Sequence, residues 1–135
     1  MKGRCYCGEV QYEITEKPLM KAQCHCRECQ YLTGGGPNFF MAVPNGGFRI
    51  TRGVPRDFTR SDIQNARTRQ FCGTCGTHLT TLLPSRPLTI VKIGTLDDPA
   101  ADYEGPDLAI FMKDSQPFHV VADSLPCFQD MPPRA

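Results

Sequence analysis

Seven of the eight cysteines fall in three short clusters, and their spacing constrains this chain more than any other feature of its sequence. The clusters have the patterns C-x-C, C-x-C-x-x-C and C-x-x-C-G, and they comprise Cys5 and Cys7, then Cys24, Cys26 and Cys29, then Cys72 and Cys75. The N-terminal sequence MKGRCYCGEV contains no apolar leader, so we expect a cytoplasmic protein. In a reducing compartment, clustered cysteines indicate metal binding or catalysis rather than disulfides.

The first and third clusters together predict a closed four-cysteine zinc site. C-x-x-C-G is typical of a zinc knuckle, in which two thiolates on a tight turn reach one ion. A redox C-x-x-C is the competing interpretation, but it normally opens a helix in a βαβ unit, and here the flanking residues have strand character. A C-x-C pair in extended chain would project both sulfurs to one face. The predicted ligands are Cys5, Cys7, Cys72 and Cys75.

The second cluster leaves three cysteines for a second ion. Three protein ligands and one exchangeable position are typical of a reactive zinc site. The alternative is a fourth protein ligand that closes the site, and spacing alone also permits a different sharing of the seven cysteines. The predicted ligands are Cys24, Cys26 and Cys29, and the candidates for a fourth ligand are His25, His78, His119 and Cys127.

Charge limits what such an open site can do. Three thiolates around Zn²⁺ leave a net charge of −1, so the ion activates water poorly and favours a soft ligand such as a thiol. Coordination deprotonates the thiol, and the thiolate is the nucleophile. Lys21 and Arg27 are the nearest cations in sequence, and Glu28 and His25 are the nearest candidates for an acid or base.

The remaining sequence predicts an all-β fold in one domain. Apolar and β-branched residues occur in short runs between turns rich in Pro, Gly, Asn and Asp. A short turn of helix is possible at residues 27–33 and at 97–102. The predicted strands cover residues 9–15, 39–43, 48–51, 57–61, 67–71, 77–83, 88–93, 108–112 and 118–121.

Composition gives no support to two classes of partner. The chain has 15 Lys and Arg against 14 Asp and Glu, a net charge of +1, which gives no electrostatic basis for nucleic-acid binding. The longest apolar run covers residues 39–43, far short of the roughly 20 residues that cross a membrane. We therefore expect no nucleic-acid partner and no membrane association, and the sequence predicts no particular oligomeric state.

The order of the motifs resembles a known family. GRCYCGEVQYEI, CHCRECQ, FRITRG, RQFCGTCGTHL, GTLDDP and ADSLP follow one another as in the glutathione-dependent formaldehyde-activating enzymes, the GFA or CENP-V/GFA domain family. The resemblance spans nearly all 135 residues and implies a single domain over residues 1–135. It also implies the Mss4-like fold, in which small twisted antiparallel sheets are organised around zinc.

The resemblance further implies two zinc ions per chain with different roles. The first and third clusters correspond to the structural zinc ligands of the family, and the second cluster to the ligands of its catalytic zinc. The implied activity is that of a carbon–sulfur lyase that forms or cleaves S-hydroxymethylglutathione, with glutathione as the thiol partner. The alternatives are a non-catalytic zinc-binding interaction or chaperone-like module on the same fold, and a redox-responsive metal switch.

Overall fold

The computed structural model describes residues 1–133, and within them ten strands form two sheets. The smaller sheet has the order β1-β2-β5 and is antiparallel. The larger sheet has the order β10-β3-β4-β9-β8-β7-β6 and is antiparallel except for the β10–β3 pair. The bounds are β1 Lys2–Arg4, β2 Gln11–Ile14, β3 Met20–Cys24, β4 Asn38–Pro44, β5 Phe48–Arg52, β6 Arg56–Thr59, β7 Thr68–Phe71, β8 His78–Leu82, β9 Leu88–Lys92 and β10 Leu108–Ile110.

Two short α-helices connect the strands, α1 over Arg27–Thr33 and α2 over Pro99–Tyr103. Neither of these helices of seven and five residues is long or apolar enough to span a membrane. The all-β class and the Mss4-like fold are therefore confirmed, with one parallel strand pair in the larger sheet. The single domain over residues 1–135 stays a prediction, and its last two residues lie outside the described part of the chain.

The main core lies between the two sheets. It contains Tyr12 and Ile14 from β2 and Met41, Val43 and Val91 from the larger sheet, each at most 3% exposed. Burial of one such side chain stabilises the fold by roughly 1.5–3 kcal/mol. This core fixes one face of the larger sheet and leaves its opposite face for the cysteine triad.

The opposite face of the larger sheet carries a second buried cluster beside α1. The cluster consists of Ala22, Cys24, Cys29, Phe40 and Ile110. Helix α1 begins where the Cys26 side chain accepts a hydrogen bond from the Cys29 N–H, and it ends at Gly34, whose φ of 83° suits glycine. The sequence-based helix over residues 27–33 is confirmed, and its N-cap and first turn carry two of the three clustered cysteines, Cys26 and Cys29.

The strand predictions agree with the structure except at three places. Residues 118–121 form no strand: Phe118 lies in a turn, Phe118 and Val120 are exposed, and no strand among residues 1–133 pairs with them. Strands β1 and β3 were not predicted. In β3 the polar residues Lys21 and Gln23 interrupt the apolar run that would indicate a strand. Gln23 is nevertheless buried, and its amide is hydrogen-bonded to His25.

Candidate metal centres and the adjoining cavity

The structure brings the four cysteines of the first and third clusters together. The sulfurs of Cys5, Cys7, Cys72 and Cys75 all lie within 4.8 Å of one another. The Cys5–Cys7 and Cys7–Cys72 sulfur distances are 3.6 and 3.8 Å. A tetrahedral zinc with sulfur ligands at ~2.3 Å separates them by about 3.8 Å. This four-cysteine cluster could therefore hold a metal ion and fits zinc.

Two loops of the same design present these sulfurs. In residues 5–10 and 72–77, the N–H of the first residue donates to the C=O of the last at 3.0 and 2.9 Å. Each loop contains a glycine in the left-handed region, Gly8 at φ 80° and Gly76 at φ 77°. The C-x-C pair therefore lies in a turn, and the expectation that it is extended was wrong. The turn follows from the Gly8 conformation, which lets its N–H donate to the Cys5 C=O at 3.0 Å.

Backbone N–H groups point at the sulfurs of this cluster. The Val10 N–H donates to the Cys5 sulfur at 3.3 Å, and the N–H groups of Thr74 and Cys75 donate to the Cys72 sulfur at 3.4 and 3.5 Å. Four thiolates around a divalent ion carry a net charge of −2. Such donors stabilise this charge.

The remaining three clustered cysteines also converge. The sulfurs of Cys24, Cys26 and Cys29 lie within 4.8 Å of one another, and the distance between the Cys26 and Cys29 sulfurs is 3.0 Å. Cys24 ends β3, and the other two belong to the first turn of α1. Within residues 1–133, no fourth His, Cys, Asp or Glu has a ligand atom in this group. We call these residues the cysteine triad.

The three thiols of the triad do not all ionise unless a cation is present. Hydrogen bonds from the Cys24 and Cys29 thiols lower the pKa of Cys26. Hydrogen bonding to Cys26 and Cys29, together with burial, raises the pKa of the Cys24 thiol far above its usual range. Burial disfavours three adjacent negative charges, and a divalent ion at their centre removes that penalty. The donor set is sulfur alone, which suits a soft or borderline ion such as zinc.

The two histidines nearest the triad contact each other rather than the sulfurs. The His25 Nδ1 lies 3.0 Å from the His119 Nδ1, and the His25 Nε2 lies 3.0 Å from the Gln23 Nε2. The His119 Nε2 donates to the Gly35 C=O at 2.7 Å, so His119 accepts at Nδ1 when neutral. The side chain of His25 thus points away from the triad, as predicted, and does not line the cavity beside it. Its role as an acid or base stays a prediction, which this arrangement does not support.

The other candidate fourth ligands also lie elsewhere. His78 borders a neighbouring cavity. Cys127 is exposed, and its thiol donates to the Leu125 C=O. It pairs with Ala109 at an isolated bridge and has no ligand atom near the triad.

A cavity of about 420 Å³ opens directly on the triad. We call it the triad cavity. Its polar lining includes one carboxylate and three guanidinium groups, and its apolar lining comes from β3, β4, β9 and β10. Besides the three cysteines, the lining residues relevant here are Glu28, Asn38, Phe40, Arg67, Arg69, Arg86, Ile90 and Ile110.

A buried lysine supplies positive charge next to the triad. Lys92, on β9, is 8% exposed, and its ammonium donates to the Asn38 Oδ1 at 3.0 Å. Burial lowers the pKa of Lys92 to about 8, and the negative charges of the nearby Cys29 thiolate and of the other triad thiolates oppose that shift. In sequence, Lys92 is visible as the only charge inside the apolar run LTIVKIG.

The two cations nearest the triad in sequence, Lys21 and Arg27, make other contacts. The Lys21 ammonium donates to the Tyr103 C=O at 2.9 Å. Arg27 donates to the Gln30 side chain and lies over the Tyr31 ring. The prediction relied on distance along the sequence and missed Lys92, because the strands beside the triad come from distant parts of the chain.

We expect the variant Lys92→Met to weaken thiol binding at the triad about tenfold, because a hydrogen bond or ion pair to a charged group contributes roughly 1.5–3 kcal/mol. The measurement is a glutathione titration of the cobalt-substituted protein, followed by its thiolate-to-cobalt absorption. Lys17→Met, at an exposed position, is the control. Unchanged affinity in Lys92→Met would mean that Lys92 does not balance the charge of the triad.

Comparisons with known families and with solved structures each found a match. The family described as glutathione-dependent formaldehyde-activating enzyme matches residues 1–114. A crystal structure of a Rhodobacter sphaeroides protein is similar, with 23% sequence identity and a TM-score of 0.59, over 72% of this chain and 88% of that one. At this identity the likeness bears on the fold alone. No curated protein sequence matches the chain significantly.

Proposed function

Because the chain belongs to the glutathione-dependent formaldehyde-activating enzyme family, we propose that it is a zinc-dependent carbon–sulfur lyase. Its substrate is a thiol adduct such as S-hydroxymethylglutathione, formed from glutathione and formaldehyde. One observation carries the proposal: three converging cysteines border a cavity of about 420 Å³, and no fourth ligand group joins them within residues 1–133. A fully enclosed ion would have no position for a substrate.

The proposal gives the two cysteine clusters different roles. Cys24, Cys26 and Cys29 hold the catalytic zinc, and the four-cysteine cluster holds a structural zinc, which makes two zinc ions per chain. The catalytic ion, when bound, keeps the thiol of the incoming substrate deprotonated. We place the protein in the cytoplasm, where glutathione is available and thiols stay reduced.

The reaction requires one new bond and one proton. In the synthetic direction, sulfur bonds to the carbonyl carbon, the π electrons of C=O move to oxygen, and oxygen takes a proton. In the lyase direction the same steps reverse. We assign the transfer of this proton to Glu28. Its side chain lines the triad cavity and is 42% exposed, so it can exchange protons with water. Arg69 lies 3.4 Å from Glu28 and keeps its carboxylate oriented.

The arginines of the triad cavity suit a thiol that carries carboxylates. Arg67 and Arg86 line the triad cavity and are exposed, and neither forms an ion pair with a residue in the described part of the chain. Guanidinium groups bind carboxylates through two parallel hydrogen bonds. Glutathione has two carboxylates, so it would use such groups for its orientation.

The test is NMR exchange spectroscopy of a glutathione and formaldehyde mixture with protein that contains two zinc ions. We expect the interconversion of free and adduct formaldehyde to accelerate with protein concentration. Cys127→Ser, which changes an exposed thiol outside both clusters, should accelerate it equally. No acceleration by the fully loaded protein would exclude this substrate pair. If both ions also resisted chelators and added thiol, a non-catalytic zinc-binding interaction module would be the better account.

A further inference from the structure

A second cavity, of about 480 Å³, adjoins the triad cavity. Both cavities are lined by Glu28, Arg67 and Arg69, so they meet at the Arg69–Glu28 pair. The far walls of the second cavity are aromatic and apolar, and we call it the aromatic cavity. Its walls include Tyr31, Phe58, Ile63, Ala66, Phe71 and His78.

The aromatic cavity exposes apolar surface next to the proposed reaction site. Tyr31, Phe58 and Ile63 are 80%, 56% and 43% exposed. Contiguous exposed apolar surface rimmed by polar groups typically marks a binding site. Formaldehyde has one carbon, and glutathione has no aromatic or branched alkyl side chain, so neither molecule offers a group that matches these apolar walls.

A half-buried histidine forms part of the wall of the aromatic cavity. The Nδ1 of His78 is buried, and no hydrogen-bond partner for it lies within residues 1–133. Burial lowers the pKa of His78, with the charges of Lys92 and Arg69 adding to the effect. This shift favours the neutral ring, which suits an apolar wall. The Phe71 ring lies beside it, with 5.6 Å between ring centroids.

We propose that the aromatic cavity binds the substituent on the carbon half of the adduct. The carbon-side substrate is then an aldehyde with an aryl or branched alkyl group rather than formaldehyde. The reaction stays balanced: the hydroxyl proton leaves, C=O forms, the C–S bond breaks and the thiol takes a proton. This inference rests on the proposed function, because it places the other half of the same adduct.

The binding test compares two unreactive probes, S-methylglutathione and S-benzylglutathione, by calorimetry with the zinc-loaded protein. We expect the benzyl compound to bind at least about tenfold more tightly, as apolar pockets distinguish ligands of different size. Phe58→Ser removes one wall and Ala66→Trp fills the cavity, so both should reduce this ratio to about one. Phe58 is on the edge strand β6 and over half exposed, so its replacement should not prevent folding. Val54→Ser, at an exposed apolar position outside both cavities, should keep the ratio.

Three outcomes would overturn the inference: equal affinity for the two probes, binding of neither probe, or a ratio that both cavity variants leave unchanged. The proposed function is judged separately, by whether free glutathione perturbs the cobalt absorption of the triad and accelerates formaldehyde exchange. Turnover adds a second readout. Phenylacetaldehyde should give a kcat/KM at least about tenfold above that of formaldehyde, and a preference for formaldehyde would contradict the assignment.

Discussion

Cys72→Ser is expected to leave the protein unfolded at neutral pH. Cys72 is 1% exposed, and its sulfur lies 3.8 Å from that of Cys7 and accepts backbone hydrogen bonds from Thr74 and Cys75. An ion held there joins the N-terminal loop to the middle of the chain. Structural zinc sites contribute on the order of 10 kcal/mol, which is comparable to the entire stability of a small domain. Serine at this position binds zinc poorly and leaves a polar group in the core.

The measurement is circular dichroism with metal analysis of the purified variant. We expect loss of the β signal and of both ions, because the triad forms only on the folded sheet. The matched control is Cys127→Ser, a loss of one exposed thiol, which should fold normally with two ions. A folded Cys72→Ser protein with unchanged melting temperature would show that the four-cysteine cluster is not the main stabilising site.

Cys26→Ser is expected to fold normally but to lose turnover by more than about 100-fold. Replacement of even an outer partner of a metal ligand typically costs 10–100-fold, so loss of a ligand should cost more. The fold should survive because Cys26 is the N-cap of α1, where its sulfur accepts from the Cys29 N–H at 3.3 Å. Serine is among the best N-cap residues, so the helix keeps its first hydrogen bond.

The Cys26→Ser variant is checked by thermal melting, metal content and the exchange assay together. We expect a near-native melting temperature, about one zinc ion per chain and no measurable exchange. Cys26→Ala is the informative companion, since it loses both the ligand and the cap and should melt lower, by roughly 1 kcal/mol of stability. Unfolding of Cys26→Ser to the same degree as Cys72→Ser would make the triad a structural site and would remove the basis for catalysis.

The sequence was sufficient for features that depend on local spacing. The grouping of the cysteines follows from tight turns, since residues two or three apart on a turn can reach one ion. Helix α1 is likewise local, with its cap at Cys26 and its end at Gly34. Strand prediction succeeded where apolar residues alternate, as in β2. It failed at Phe118, which is apolar but exposed, since no partner strand covers it.

The electrostatic surroundings of the triad could not be predicted, because they depend on strand pairing. Lys92 lies beside the triad only because β9 pairs with β4 and β4 with β3, in the register that sets Phe40 opposite Lys92. The partnership of His25 with His119 spans 94 positions of sequence. The sequence alone therefore determined the fold class, the family and the three cysteine clusters, because residues two or three apart on a tight turn lie close together. Only the tertiary structure decided how the clusters combine into a group of four and a group of three, and which charges, cavities and histidines surround them. Those contacts join distant strands of the sheet, which no local sequence pattern specifies.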